Sequence, residues 1–274
     1  MSEHLFDKYM RTEKLPHMWC AGCGNGIVTQ AIIRAIEKSG VDQNDVVLVS
    51  GIGCTCRANG YMDFCGIHTN HGRAIAYATG VKLANPKLKV IVITGDGDAT
   101  SIGGNHFIHA ARRNIDLTVV VYNNYNYGMT GGQYSPTTLL DSYTKTSVYG
   151  NIEPQLDICK LAEASGATYV ARATTYHVQM LTKQIEAAIN HNGFSIVEAM
   201  CDCPTLYGRL NKLGGPAEMV LRWKDATVNV VRAKNMSQEE LGGKVVIGEF
   251  VNRTDRMEYT AQYDEIIKRA QGGK

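Results

Sequence analysis

The chain of 274 residues has no apolar run approaching the ~20 residues that a membrane-spanning helix requires, so an integral membrane protein is not expected. It has little excess of either charge. Its 28 Lys+Arg stand against 26 Asp+Glu, a net of +2, which argues against a nucleic-acid or membrane-surface protein. MSEHLFDKYM lacks the charged-then-apolar pattern of a signal peptide, so a cytoplasmic protein is expected. There is no internal repeat or low-complexity linker, and no domain boundary shows before about residue 205. A dinucleotide site is excluded as well: Gly51-Ile52-Gly53 runs on to Arg57 without completing GxGxxG, and no ribose-binding acid follows.

Glycine and cysteine are what the chain has in plenty, 28 and eight respectively. The cysteines are Cys20, Cys23, Cys54, Cys56, Cys65, Cys159, Cys201 and Cys203. At this length and without an export signal they point to metal binding or catalysis rather than a disulfide framework. Four short β-branched runs, 46–50, 89–94, 117–122 and 194–199, are apolar without alternation, as strands buried on both faces are. Helical spacing lies between them. Val28, Ile32, Ala35 and Ile36 share one face ahead of Gly40 as a stop, and Leu181, Ile185, Ala188 and Ile189 repeat that spacing. Strands alternating with helices predict an α/β fold, a mostly parallel sheet with helices on both faces. Each run leads into an unusual loop: GIGCTC, GDGD, NNYNYG and MCDCPT. A parallel sheet gathers its carboxyl ends on the edge where ligands bind, so these four loops should meet on one rim.

Gly95-Asp96-Gly97 ends one run and Asn123-Asn124 ends the next, with 25 residues between Gly97 and Asn123. Glycines let backbone N–H groups close on a diphosphate near a helix N-terminus, and a helix is expected over 107–113. The Asp96 carboxylate and the Asn124 amide oxygen are hard ligands suited to Mg²⁺, and a carbonyl from the Tyr125–Gly128 turn could complete the set.

This spacing resembles the motif of thiamine diphosphate (ThDP) enzymes. The wider text, WCAGCGNG, GIGC, HGRA, GDGDATSIGGNH and NNYNYGMTGGQYSPTT, resembles the β subunits of 2-oxoacid:ferredoxin oxidoreductases, above all the 2-oxoglutarate type, over about residues 15–210. The resemblance implies the diphosphate-binding domain of the ThDP-binding fold. It makes Asp96, Asn124 and the main-chain carbonyl of Asn126 the Mg²⁺ ligands. It also implies that Gly95, Gly97, Asp98, Gly128 and Met129 hold the diphosphate and nearby parts of ThDP. Ile52, Gly53, Cys54 and Thr55, with His71, Gly72, Arg73 and Ala74, would line the cofactor. Asn126 stands where Val or Ile is more usual, which matters little for a carbonyl ligand.

On its own, Cys20-Ala21-Gly22-Cys23 fits a zinc half-site, a dithiol pair or an iron–sulfur half-site. No strand is expected before it, which sets aside a thioredoxin-like pair. The rim offers further thiols in Cys54, Cys201 and Cys203. The resemblance implies that Cys20, Cys23, Cys54 and Cys203 hold one 4Fe–4S cluster, the Pro204-Thr205 that follows favouring Cys203 over Cys201; a zinc Cys₄ site is the alternative. Cys56 and Cys65 are expected near the site without ligating, and Cys159 as a buried small hydrophobe. His71 and Arg73 are candidate catalytic residues, contacting the diphosphate or a substrate carboxylate, and His106 is expected to hydrogen-bond near a helix start.

The activity implied is CoA-dependent oxidative decarboxylation of a 2-oxoacid to acyl-CoA and CO₂, reversible, with electrons passing through the cluster to ferredoxin. An α subunit is implied too, in a heterodimer or dimer of heterodimers, bringing the carboxylate that activates ThDP and much of the substrate pocket. Pyruvate or broad 2-oxoacid specificity, a non-oxidative ThDP decarboxylase component and a zinc-bearing scaffold are the alternatives. Residues 1–210 are expected to form the ThDP- and cluster-binding domain. Residues 211–274 are expected as an extension packing on the core or the partner, with a strand over 244–251 and a helix over 258–269.

Overall fold

In a computed structural model, residues 5–272 are described; the first four residues of the MSEHLFDKYM segment lie outside the described residues. The strands are β1 (Val46–Ser50), β2 (Cys65–His68), β3 (Lys89–Gly95), β4 (Leu117–Asn123), β5 (Asn126–Tyr127), β6 (Gln133–Tyr134), β7 (Tyr169–Thr174), β8 (Phe194–Met200), β9 (Thr227–Asn229) and β10 (Val245–Asn252). Eight of them form one sheet in the order β2-β1-β3-β4-β8-β7-β10-β9, while β5 and β6 make a separate ribbon. From β2 to β7 every pairing in that sheet is parallel, and β10 joins β7 in the antiparallel sense. The four apolar runs are the four adjacent inner strands β1, β3, β4 and β8, buried at every position except Lys89.

Helices cover both faces, because successive residues of each inner strand point to opposite sides. Leu48, Ile91, Ile93, Val120 and Val197 face the helices Asn25–Ser39 and Val178–Asn190, whose Val28, Ile32, Ile36, Leu181, Ile185 and Ile189 complete that core. Val47, Val49, Val92, Val119 and Val121 face the opposite way, against Ile75, Phe107 and Ile158. The first helix stops where expected: Gly40 sits at φ +70° and closes the turn with its N–H on Glu37 O. Ile32 is fully buried there, so truncation to Ala would cost about 2–5 kcal/mol.

The helix expected over 107–113 begins three residues earlier, at Gly104, after a wide turn over Asp98–Ile102. Strand β7 has no counterpart among the apolar runs, because Arg172 interrupts Tyr169–Thr174; that side chain is buried against two carboxylates. Beyond residue 210, β9 and β10 extend the sheet, and the helix Tyr259–Ala270 follows with Glu258 as its cap.

Candidate functional site

The carboxyl ends of β1, β3, β4 and β8 lie side by side, so their loops share one rim. Close approaches tie them together. Thr55 Oγ1 is 3.1 Å from the place a Cβ on Gly95 would take, and Cys54 Sγ is 3.3 Å from the equivalent point on Gly128. Cys201 N–H donates to Asn123 O at 2.8 Å, and Gly24 N–H donates to Asp202 O at 3.0 Å. The loop 52–55 therefore touches both the GDG turn and the loop after β4.

Asp96 is the buried carboxylate of this rim. Burial pushes its carboxyl up to about 6, against hydroxyls of Ser135 and Thr137 that donate to Oδ2 at 2.5 and 2.6 Å. Asn123 Oδ1 accepts the N–H of Tyr125 at 3.1 Å, holding that residue at φ +63° in a turn that carries Asn124 and Asn126. Asn124 and Asn126 are both buried, and neither amide atom of the Asn126 side chain has a hydrogen-bond partner. A carboxylate, an amide oxygen and a turn carbonyl at one strand edge form a hard oxygen donor set, which fits Mg²⁺. A Cβ at Gly97 would collide with the Tyr127 ring, so only glycine leaves the backbone this close to the turn. Ser135 and Thr137 went unassigned in the sequence, although both belong to its YSPTT segment.

Asp98 is also buried, and its carboxylate is turned towards the protein rather than outward. It accepts from Gly72 N–H at 2.7 Å, from Thr94 Oγ1 at 2.7 Å and from Ile52 N–H at 3.3 Å. One side chain thus ties together the loops 51–55 and 71–74. His71 Nδ1 approaches Asp98 Oδ1 at 2.8 Å without hydrogen-bond direction, and its ring centroid lies 5.9 Å from that of Tyr127. Arg73 donates to Ile102 O at 3.2 Å and meets His106 Nε2 at 3.1 Å, so His106 does pair near the helix start. Gly53 sits at φ +128°, Ala74 is buried at its helix start, and Ile52 and Met129 are exposed apolar side chains.

Cys20, Cys23, Cys54 and Cys203 form one electrostatic neighbourhood. Burial raises the Cys23 thiol to about 12, with Cys203, Cys54 and Cys20 adding to the effect, and raises Cys54 to about 11, with Cys203 and Cys20 adding. A metal would reverse that direction, since coordination deprotonates a thiol outright. No three of these sulfurs lie within 4.8 Å of one another, but thiols in each other's field are the donor type that a Cys₄-bound centre needs. Cys201 shares that field, since Cys23 and Cys203 add to the burial that raises its thiol, but it is buried with its Sγ–H on Asn25 Oδ1 at 3.3 Å, under the first helix. Asp202, between Cys201 and Cys203, accepts from Thr175 Oγ1 at 2.7 Å and from Trp223 Nε1 at 3.2 Å. Pro216 closes against Gly22 of the Cys-x-x-Cys loop.

Two expectations for the other cysteines change. Cys56 does lie at the rim, its Sγ 3.8 Å from Asp98 Oδ2, but Cys65 opens the edge strand β2 beside Val47, at the opposite end of the sheet. Cys159 is buried as expected, yet among charges: its thiol donates to Glu198 Oε2 at 3.3 Å.

Residues 51–199 match the family model of the thiamine pyrophosphate enzymes, C-terminal TPP-binding domain. The 2-oxoglutarate synthase subunit KorB of Methanocaldococcus jannaschii is 49% identical over 262 residues, 96% of this chain and 97% of that protein. Its namesake from Archaeoglobus fulgidus is 54% identical over 233 residues, 85% of this chain and 84% of that one. This chain belongs to the β-subunit family of the 2-oxoacid:ferredoxin oxidoreductases. A solved 2-oxoglutarate:ferredoxin oxidoreductase from Magnetococcus marinus, with 2-oxoglutarate, coenzyme A and succinyl-CoA bound, superposes with a TM-score of 0.86 at 32% identity. That match covers all of this chain and 93% of the other. Membership in the family accounts for the α/β ThDP-binding fold. No helix among the described residues is long and apolar enough to cross a membrane.

Proposed function

We propose that the chain is the ThDP- and cluster-bearing β subunit of a 2-oxoglutarate:ferredoxin oxidoreductase. The observation that carries this reading is the loop 52–55, whose Cys54 thiol stands beside Gly128 of the proposed diphosphate loop, in the field of Cys20 and Cys203 and acting in turn on Cys23. Asp96, Asn124 and the Asn126 carbonyl would hold Mg²⁺, with Ser135 and Thr137 fixing one carboxylate oxygen and leaving the other for the ion. The backbone of Gly97 and Gly128 lets the diphosphate close on the rim. ThDP bound there would supply the electron sink for loss of CO₂ from a 2-oxoacid. His71 and Arg73, in the loop 71–74 that Asp98 secures, would meet the diphosphate or the substrate carboxylate. Cys20, Cys23, Cys54 and Cys203 would hold a 4Fe–4S cluster, which would supply one-electron transfer towards ferredoxin. Coenzyme A takes the acyl group, and a partner subunit brings the carboxylate that activates ThDP.

Anaerobic iron and acid-labile sulfide analysis tests the centre: brown protein with absorbance near 400 nm bleached by dithionite is expected, and zinc without sulfide would refute it. Initial rates on 2-oxoglutarate, pyruvate and a branched 2-oxoacid, with the partner subunit present, test the substrate. The chain without its partner should hold iron and sulfide but not oxidise 2-oxoacids.

A further inference from the structure

Behind the rim, Asp157, Cys159 and Glu198 bring three ligand-type atoms within 4.8 Å of one another, an arrangement that could hold a metal ion. Arg172 fills it instead. Its Nε is 2.7 Å from Glu198 Oε2, and a terminal nitrogen is 2.6 Å from Asp157 Oδ1. Glu198 is buried, so a cation on one oxygen leaves the other as an anionic acceptor facing β4. That oxygen, Oε1, accepts the Asn123 Nδ2–H at 2.7 Å.

This contact decides how the Asn123 amide sits. With its NH₂ on Glu198, its oxygen faces the other way and accepts Tyr125 N–H at 3.1 Å, with the Thr137 hydroxyl, whose one proton is shared with Asp96 Oδ2, 3.0 Å away. Turned by half a rotation, the amide would set oxygen against a carboxylate and NH₂ against the Tyr125 N–H, losing both of those contacts. Both halves of the cation site depend on that orientation. The same Thr137 hydroxyl lies 2.6 Å from Asp96 Oδ2, and Tyr125, a bulky residue at φ +63°, carries the turn between Asn124 and Asn126.

We propose that Glu198 is a positioning residue for the divalent-cation site: secured by Arg172, it fixes the Asn123 amide and so aligns Asp96, Asn124 and the Asn126 carbonyl. The proposal rests on the Mg²⁺–ThDP reading above. It extends the site to a second layer of residues, on β8 and β7, that touch neither metal nor cofactor.

The test is the Mn²⁺ dissociation constant of the assembled enzyme with ThDP, read by electron paramagnetic resonance, alongside the thermal midpoint. Asn123→Asp sets an oxygen against Glu198 and should weaken Mn²⁺ binding roughly ten- to a hundredfold, the worth of one buried charge-assisted bond. Adding Glu198→Gln reverses donor and acceptor, because the Gln amide can donate to the new carboxylate. The double variant should return to within about threefold of the parent. Mn²⁺ binding in folded Asn123→Asp equal to the parent would overturn the proposal, as would a double variant that regains its thermal midpoint but not its Mn²⁺ affinity. If Asn123→Asp does not fold, Glu198→Gln alone decides: weaker Mn²⁺ binding supports the role and unchanged binding overturns it. A parent that binds no Mn²⁺ with ThDP overturns the underlying site reading, and this proposal with it.

Discussion

Asp98→Ala is the most informative single perturbation of the rim. The carboxylate is buried and holds Gly72 N–H and Thr94 Oγ1 at 2.7 Å each, with Ile52 N–H further off at 3.3 Å. A hydrogen bond to a charged group contributes about 1.5–3 kcal/mol, and an orphaned buried donor costs a similar amount. The three donors share one acceptor, so their losses do not simply add; a total of about 3–5 kcal/mol follows. In a domain of this size each kcal/mol moves the thermal midpoint by ~2–4 °C, giving a fall on the order of 10 °C. Asp98→Asn should be milder. It keeps an acceptor for Gly72 N–H, and the Thr94 hydroxyl it disturbs can turn to Gly95 O, 3.3 Å away, so about 1–2 kcal/mol is expected. Calorimetry on the two variants and parent measures this directly. ThDP affinity should fall in the same order, since the loops 51–55 and 71–74 lose their common tie. An Asp98→Ala protein melting within about 2 °C of the parent would refute the assignment of this carboxylate as the knot between those loops.

Cys203→Ser should lose the absorbance near 400 nm, whereas Cys201→Ser, altering a thiol turned to Asn25, should keep it; equal loss in both would sink the choice of Cys203. Asp96→Ala should abolish Mg²⁺-dependent ThDP binding while the far-ultraviolet circular dichroism stays that of the parent; retained binding by calorimetry would contradict the ligand set. Burial lowers the His191 imidazole below its ordinary 6.5, so the unfolded chain takes up that proton first. Its stabilising contribution is therefore full above about pH 6.5 and fades as the pH falls, and the urea-midpoint advantage of the parent over His191→Gln should shrink from pH 7.5 to 5.5. An advantage that grows would contradict this.

The sheet was legible in the sequence wherever a strand is buried among apolar neighbours. β1, β3, β4 and β8 read as unbroken β-branched runs because both their faces lie under helices, and their shared polarity already implied a common rim. β7 was illegible for a physical reason: Arg172 sits in its middle, and only the tertiary structure supplies the Glu198 and Asp157 that make a buried guanidinium tolerable. Glu198 lies inside the run read as β8, and nothing local marks it as half of a buried ion pair. The site divides in the same way. Residues that would touch metal or cofactor lie in short contiguous motifs, which spacing along the chain reveals. Residues that orient their neighbours, Ser135 and Thr137 on Asp96, Glu198 on Asn123 and Trp223 on Asp202, lie 21 to 75 residues from those partners, and spacing along the chain does not pair them. Asp98 shows what motif reading leaves out: its place in GDGD marks the loop expected at the diphosphate, while the donors its carboxylate holds come from three different loops and strands.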